Sequence, residues 1–449
     1  MAGPSDKARF YLEQSVPELH ELERKKVFSR DEISTIAKKR SDFELILNAR
    51  GSKPSDYLRY IEFELNLDTL RRKRIHRLKI KATGSGAKRI FFLFQRGTRK
   101  FPGDLGLWMQ YIEFARKEKS YRKLNEILTS VVRLHPTKPE LWIYAARYFM
   151  DSQADITNAR SYMQRGLRFC KSSKKLWLEY AKLETLYIGK IAGRRKILGL
   201  DIDRSEKVEK GEDENMIALP SVSADDINPK NDKEDEVDEA ALRNLESAPV
   251  LTGAIPIAVF DAAMKQFGGS AALAEDFFFM FAEFDQLPCL SRLLQHVLDH
   301  LQQHSSAAPE TASCYFQIPL IGVHPSSSGF PAALREALDR LATSLQQSPQ
   351  MKAPLSEAAV RRLVRLAANS EGVDETVRKV LKSTLRKYCR SLEEAVQSDA
   401  KEDGDAIGSL AEELQRAGRV EEAKFLTKVA TKQWSGNEKL LQLQKLLDS

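Results

Sequence analysis

Three segments led by tryptophan recur at nearly constant spacing in the first half of the chain. Trp108, Trp142 and Trp177 are 34 and then 35 residues apart, and each follows a leucine and precedes a tyrosine by no more than three residues. A period of this length is typical of one helix-turn-helix unit, which buries its apolar face only by stacking on its neighbours. The sequence therefore predicts an all-α fold, an α-α superhelix (solenoid) of HAT/TPR-like helical hairpins.

The segment that begins at Trp108 shows how one hairpin is encoded. Trp108, Tyr111 and Phe114 lie at i, i+3 and i+6, so they share one side of a first helix. Apolar residues at helical spacing predict a second helix over 121–134, which ends before Pro136 because proline cannot continue the helical hydrogen bonding. The predicted closing pairs of successive second helices, spaced by 34 residues, are Phe101-Pro102, His135-Pro136 and Phe169-Cys170.

An earlier copy of the pattern precedes the first tryptophan. The tetrapeptide at 60–63 repeats at 111–114, which puts Tyr57 in the place of Trp108. In the second helices, residues 94–97 correspond to residues 163–166, 69 residues later. We expect these repeat positions to be structural, with aromatic rings in the core: Tyr57, Tyr60, Trp108, Tyr111, Trp142, Trp177, Tyr180, Arg96 and Arg165.

The net charge of +8 hides an uneven distribution. Residues 1–200 carry +21, residues 201–250 carry −10, and the remainder carries −3. Such asymmetry indicates either a polyanionic partner for the first half or a solvated, lysine-rich surface. The two interpretations are equally compatible with the composition.

A basic block follows the first aromatic helix, in an insertion over 66–86 that explains the longer interval between Tyr57 and Trp108. No acidic residue occurs from Thr69 to Gly103. Such a block can bind phosphates, serve as a nuclear-import signal, or simply solvate a surface. Its members are Arg71, Arg72, Lys73, Arg74, Arg77, Lys79, Lys81, Lys88 and Arg89.

Composition and periodicity divide the chain into four regions. We predict an N-terminal helical region with the basic insertion at 1–86, HAT repeats at 87–200, an acidic disordered linker at 201–250, and a helical repeat region at 251–449. The linker is too charged to bury enough apolar surface to offset its ordering entropy. In the last region, the Ser/Pro/Gly-rich stretch from Ser305 to Phe330 is expected to be a loop.

Sites for chemistry are not evident. Gly84-Ser85-Gly86-Ala87-Lys88 does not match the spacing of a phosphate-binding loop, and Arg89 stands where that loop needs a hydroxyl. His296, His300 and His304 share a helical face, but no Cys or acidic base accompanies them at metalloprotease spacing. The four cysteines are widely separated, which favours a reducing compartment. We therefore predict no catalytic, metal or cofactor site, and a chain that is not an enzyme.

The repeat units resemble the HAT repeat of RNA-processing factors, whose pattern is Trp-x-x-Tyr followed by an Arg-bearing second helix and a closing proline. The N-terminal run is more specific. It includes Phe28 to Ile33, Lys39 to Glu44 and Asp56 to Leu67. This run, together with the repeats, resembles the U3 small nucleolar RNA-associated protein 6 family over residues 10 to about 200.

The resemblance implies a nuclear, nucleolar protein of the small-subunit processome, a HAT-repeat subunit of the UtpB subcomplex beside WD40-propeller proteins. On that basis we expect a non-catalytic scaffold in 18S rRNA maturation that binds protein partners and U3 snoRNP or pre-rRNA assemblies. Two alternatives stay open, direct RNA binding through the 71–89 block and a HAT-repeat mRNA-processing factor. No membrane association is expected, because the most apolar stretch, at 277–282, is too short to span a bilayer.

Overall fold

The computed structural model describes residues 4–79, 86–197, 249–324, 326–347, 351–368, 375–396, 404–434 and 436–448. Within these ranges the chain is helical and contains no β-strand, which confirms the all-α fold class. Almost all of the predicted acidic linker lies outside the described residues. Among the described helices, none combines the length and the apolar character needed to cross a lipid bilayer.

The chain divides into two compact units. The N-terminal unit comprises Met1–Phe149 and Gln164–Cys170, and the C-terminal unit comprises Met150–Met163 and Lys171–Ser449. The helices of the first half are α1 (Pro4–Glu13), α2 (Val16–Arg24), α3 (Arg30–Asn48), α4 (Pro54–Leu78), α5 (Ala87–Lys100), α6 (Leu105–Lys117), α7 (Tyr121–Leu134), α8 (Pro139–Ser152), α9 (Ile156–Phe169) and α10 (Lys174–Ile197). In the N-terminal unit α3 packs on α4, α4 on α5, α5 on α6 and α6 on α7.

Each tryptophan of the repeat makes the same hydrogen bond. The indole N–H donates to the backbone carbonyl six residues earlier, in the turn that leads into its own helix. The pairs are Trp108 with Pro102 at 2.9 Å, Trp142 with Pro136 at 2.9 Å, and Trp177 with Lys171 at 3.1 Å. An indole at the edge of a core needs such an acceptor. The bond therefore fixes both the ring and the turn in every unit.

These bonds place the third closing pair one residue later than the spacing of 34 predicts. Helix α9 ends at Phe169, and Cys170 is its C-cap, as Phe101 and His135 are for α5 and α7. The pair is therefore Cys170-Lys171. The cause lies in the first helix of that hairpin, because α8 has 14 residues where α6 has 13.

Two glycines allow the helices of a hairpin to approach closely. A Cβ atom added at Gly97 of α5 would lie 3.1 Å from Cδ1 of Tyr57, and one added at Gly166 of α9 would lie 2.8 Å from Cγ of Trp142. Both rings are buried. The two glycines thus occupy the same place in two different hairpins, on the second helix and directly against the aromatic ring of the first.

The same register extends one helix further towards the N-terminus than the aromatic pattern indicates. Tyr111 stacks on Phe94 of α5, with ring centroids 5.0 Å apart and planes 8° apart. Tyr60 stacks on Phe43 of α3 at 4.9 Å and the same angle. Tyr60 precedes Tyr111 by 51 residues, and Phe43 precedes Phe94 by the same number. Helix α3 therefore packs against α4 in the way that α5 packs against α6.

The second half of the chain is also built from helices packed on their sequence neighbours. They are α11 (Ala254–Gln266), α12 (Ala271–Ala282), α13 (Leu290–Ser305), α14 (Pro309–Gln317), α15 (Phe330–Gln347), α16 (Lys352–Ala368), α17 (Glu375–Val396), α18 (Asp405–Arg416), α19 (Val420–Thr431) and α20 (Glu438–Asp448), with short 3-10 turns at Pro249–Thr252 and Ile318–Leu320. From α15 onwards they share one apolar core.

The prediction of a loop from Ser305 to Phe330 is wrong. Helix α14 and the following 3-10 turn occupy its centre, and Cys314 and Phe316 are buried. Pro309 lies in the first turn of the helix, where a backbone N–H would have no acceptor within the helix, so the missing N–H of proline costs no hydrogen bond. Helix α14 has only nine residues, and the Ser, Pro and Gly residues around it led to the prediction of a loop.

Replacing Gly166 by alanine should destabilise the chain, although alanine favours a helix by about 1 kcal/mol over glycine. The new methyl group would collide with the ring of Trp142. Gly193 in α10 is the matched control, because an added Cβ there meets nothing within 4 Å and G193A should stabilise by about 0.5–1 kcal/mol. Urea unfolding followed by circular dichroism measures both; a stabilising G166A would contradict the close packing.

The C-terminal unit contains a carboxyl group with a titration near neutral pH. Burial raises the pKa of Glu275 in α12 to about 7, and the carboxylate of Glu310 adds to the effect, although a hydrogen bond with Ser313 opposes it. Between its ordinary pKa of 4.5 and about pH 7, the folded chain keeps a proton that the unfolded chain releases. Stability should therefore fall as pH rises through this interval.

E275Q removes that proton equilibrium. We expect E275Q to be more stable than the parent chain at pH 8, on the order of 1–3 kcal/mol, and about equal to it at pH 4.5. Urea unfolding at both pH values tests this. An effect of the same size at pH 4.5 and pH 8 would show that the substitution acts through packing and not through protonation.

Candidate nucleic-acid interface

The predicted basic insertion is largely a continuation of α4. This helix runs from Pro54 to Leu78 without a break, and Lys79 follows in the left-handed conformation with φ 50°. The Arg71–Arg74 run therefore lies on a helix, which points its side chains in several directions and not along one strip. Lys81 lies outside the described residues.

Arg71 and Arg72 are both held by Asp68, one turn earlier on the same helix. Arg71 is buried, and its guanidinium donates to Asp68 Oδ1 at 2.7 and 2.9 Å. Arg72 donates to Asp68 Oδ2 at 2.6 Å and to both carboxylate oxygens of Glu118 at 2.8 and 2.9 Å. The bonds with Glu118 raise the pKa of Arg72. Both cations thus join parts of the fold.

Arg74 is paired with Glu32 across 42 residues. It donates to the two carboxylate oxygens at 2.7 and 2.8 Å and lies 4.7 Å from the centre of the Phe28 ring. Glu32 also closes a capping box at the start of α3, because it accepts from the backbone N–H of Ser29 while Ser29 Oγ accepts from the Glu32 N–H. The hydrogen bond with Arg74 is the main reason that the pKa of Glu32 falls to about 2.

Arg89 of α5 is mostly buried and lies 3.8 Å from Glu18, a residue that is also 4.0 Å from Arg40. Glu18 and Arg89 line a cavity of about 450 Å³ together with Arg71 and Lys88. Because the lining contains the carboxylates Glu18 and Glu21 as well as three cations, the cavity wall carries both signs of charge. It does not have the uniformly positive lining that a phosphate group requires.

Besides Arg72, which is exposed but paired, four members of the basic block are exposed: Lys73, Arg77, Lys79 and Lys88. None of the four forms an ion pair within the part of the chain that the structure describes. The sequence alone does not distinguish the nine cations of the block. In the structure, the four arginines at 71, 72, 74 and 89 contact carboxylates of the same chain. The exposed positive charge of the block therefore comes mainly from these four side chains.

A buried ion pair, which the sequence analysis did not single out, joins α3 to α4. Arg40 and Glu64 are 2–3% exposed, and the guanidinium donates to both carboxylate oxygens at 2.7 and 2.9 Å. The same arrangement recurs in the C-terminal unit between Arg160 and Glu184, with both distances 2.7 Å. Each pair is separated by 24 residues, and that shared spacing was the available signal.

A second buried carboxylate, Glu44 of α3, accepts from Arg96 at 2.9 and 3.0 Å. Arg96 also lies 4.0 Å from the centre of the Tyr11 ring. Burial raises the pKa of Glu44, and the guanidinium offsets this only in part. Arg165, which occupies the corresponding place on α9, is exposed. The two arginines that the sequence aligns thus have different environments.

Breaking the Arg40–Glu64 pair should be costly, because R40M leaves a buried carboxylate without its partner. We expect R40M to lower the free energy of unfolding by about 3–5 kcal/mol, and R40M/E64M to cost much less than the two single changes together. K123M, at an exposed pair with Glu126, is the control and should change stability by less than about 1 kcal/mol. Additive effects of R40M and E64M in urea unfolding would show that the pair is uncoupled.

Comparison with known proteins identifies relatives of the N-terminal half. The family model described as U3 small nucleolar RNA-associated protein 6 matches residues 12–93, which contain the α3–α4 ion pair. The protein of that name from Schizosaccharomyces pombe is 40% identical over 229 residues, which cover 50% of this chain and 46% of the relative. The Homo sapiens homolog is 32% identical over 223 residues, covering 47% of this chain and 37% of its own length.

Among solved structures, a circular tandem repeat protein covers 99% of this chain and 96% of its own, with 14% sequence identity. Its TM-score of 0.27 is too low to support an inference about this chain. The matched segments span less than half the length of the curated relatives. Over residues 12–93, the chain is similar to the U3 small nucleolar RNA-associated protein 6 family.

Proposed function

We propose that the protein is a non-catalytic scaffold in nucleolar pre-rRNA processing, acting in 18S rRNA maturation and small-subunit biogenesis. The observation that carries this proposal is the similarity to U3 small nucleolar RNA-associated protein 6, through the family model at residues 12–93 and through 40% identity over 229 residues to the fission yeast protein. Stacked hairpins offer long surfaces for binding segments or domains of other macromolecules.

The proposed partners follow from the family. They are protein subunits of the UtpB subcomplex with WD40 propellers, and U3 snoRNA or pre-rRNA, reached directly or through the complex. The proposed location is the nucleolus within the nucleus. Because the chain covers less than half of its curated relatives, these assignments are proposed for the assembly in which the chain takes part.

The absence of catalysis is part of the proposal, and three observations support it. The family is described by its association with an RNA, not by a reaction. Burial raises the pKa of all four cysteine thiols, to about 12 for Cys389, so these groups are poor nucleophiles at neutral pH. In addition, His296 bonds to Asp261 at 2.7 Å while His300 stacks on His304, an arrangement that uses the histidine row for packing.

A second candidate function is direct RNA binding through the 71–89 block. The observation that favours it is the exposure of Lys73, Arg77, Lys79 and Lys88. Four cations can release counterions from a phosphate backbone without reading its sequence. The third alternative, a HAT-repeat mRNA-processing factor, is disfavoured because the family match includes the opening region at 12–93.

Recovery of the tagged chain from fission yeast, the source of the 40% identical relative, tests the scaffold proposal. We expect U3 snoRNA and WD40-propeller proteins to be enriched over a sample with the tag alone, and spliceosomal RNAs to stay at background. RNA sequencing and mass spectrometry of the same eluate measure both classes. Enrichment of spliceosomal components without U3 snoRNA would replace the proposal by the mRNA-processing alternative.

A further inference from the structure

The second helices of the repeat, α5, α7 and α9, carry a net positive charge that the first helices α6 and α8 do not. Their sequences contain eleven Lys and Arg and a single acidic residue, Glu126, which pairs with Lys123 at 3.0 Å. In α6 and α8 the two signs balance, with three acidic and three basic residues. In the hairpins α6–α7 and α8–α9, positive charge is therefore segregated onto the second helix.

Hydrogen bonds hold the C-terminal ends of these three helices next to one another. The imidazole Nε2 of His135, the C-cap of α7, lies 2.7 Å from the carbonyl of Pro102, just after α5. The thiol of Cys170, the C-cap of α9, donates to the carbonyl of Pro136, just after α7, at 3.3 Å. Each second helix is thus bonded at its end to the turn that follows the preceding second helix.

An arginine stands at the same place in all three helices, two residues before the C-cap. Arg99, Arg133 and Arg168 are each exposed, and they are spaced by the repeat itself, 34 and 35 residues. All three belong to the N-terminal unit. Because hydrogen bonds link the ends of these helices in sequence, the three arginines occupy equivalent places on successive second helices, one in each.

The ordinary explanation for a cation in the last helical turn is attraction to the helix dipole, worth about 0.3–1 kcal/mol. The helix dipole accounts for the positive charge at the end of each helix, but not for the other exposed polar side chains on the same helices. One turn before each arginine stands an exposed, uncharged hydrogen-bonding side chain, Gln95, Thr129 or Gln164. At the other end of α5 and α7, Lys88 and Arg122 are also exposed.

We propose that Arg99, Arg133 and Arg168 form a stripe that binds the phosphate backbone of single-stranded RNA without reading its sequence. Guanidinium groups pair with phosphate oxygens through two parallel hydrogen bonds. The near absence of carboxylates on the second helices favours a polyanion that follows the row from one hairpin to the next. The stripe is separate from the exposed cations of the 71–89 block, and it deepens the proposed role in RNA processing by naming a direct contact.

The test measures the affinity of the full chain for a fluorescent oligouridylate at several salt concentrations. For single strands the logarithmic salt slope is about 0.7 per neutralised phosphate, so R99Q/R133Q/R168Q should reduce the slope by about 2. R99K/R133K/R168K keeps the charge and should keep most of the slope. Circular dichroism establishes that each variant is folded. If the triple glutamine variant is not, the single variants R99Q, R133Q and R168Q decide the question, and each should reduce the slope by about 0.7.

The matched control is R59Q/R116Q/R147Q, which removes three exposed arginines from the first helices α4, α6 and α8. It should leave the slope within about 0.5 of the parent value. An equal loss in the control and the stripe variant would overturn the proposal, because net charge alone would then explain binding. So would failure of the parent chain to bind, or displacement of the RNA by an equal charge concentration of polyglutamate.

These outcomes are separable from failure of the scaffold proposal. Recovery of U3 snoRNA from cells together with no RNA affinity of the isolated chain would remove the stripe and leave the scaffold. RNA affinity that depends on the stripe, without recovery of U3 snoRNA from cells, would support the stripe and remove the scaffold proposal. K73Q/R77Q/K79Q/K88Q distinguishes the two basic surfaces, since the stripe predicts that this variant retains the part of the salt slope that R99Q/R133Q/R168Q loses.

Discussion

The fold depends on how each hairpin covers the large aromatic ring on its first helix. A ring such as Trp142 has an apolar body and one polar N–H, and the structure provides for both at once. Gly166 on the second helix leaves room for the body, and the carbonyl of Pro136 accepts from the N–H. Because the same turn also bonds to the cap of the next second helix, through Cys170, the packing of one hairpin positions the following one.

Buried charge marks two helix pairs outside the central hairpins. Arg40 with Glu64 and Arg160 with Glu184 occupy corresponding positions 24 residues apart, whereas the middle of the array has Phe91 and Ala115 there. A buried ion pair adds little net stability relative to apolar packing, but a single unpaired charge is very costly. We infer that these pairs specify which helices meet, and that the apolar interfaces between them supply most of the stability.

Much of this architecture could be read from the sequence, since periodicity and proline define helices locally. The bounds of α7 were predicted as observed. What the sequence could not show is pairing between distant residues. Arg74 pairs with Glu32, 42 residues earlier, and Arg72 pairs with Glu118, 46 residues later. The basic run contains no acidic residue in the sequence, but carboxylates from distant parts of the chain neutralise much of its charge. The helix α14 was missed for a different reason, because nine residues are too few to display a period among serines and prolines.

The unequal hairpins limit how the repeat array could change during evolution. Tandem repeats are often lengthened or shortened by whole units, because equivalent interfaces can be joined anew. Here such a deletion, fusing α5 directly to α10, would set Glu184 opposite Phe91 and bury a carboxylate against an aromatic ring. Hairpins of this chain are therefore not interchangeable modules, and gain or loss of a unit requires a compensating change at each charged junction.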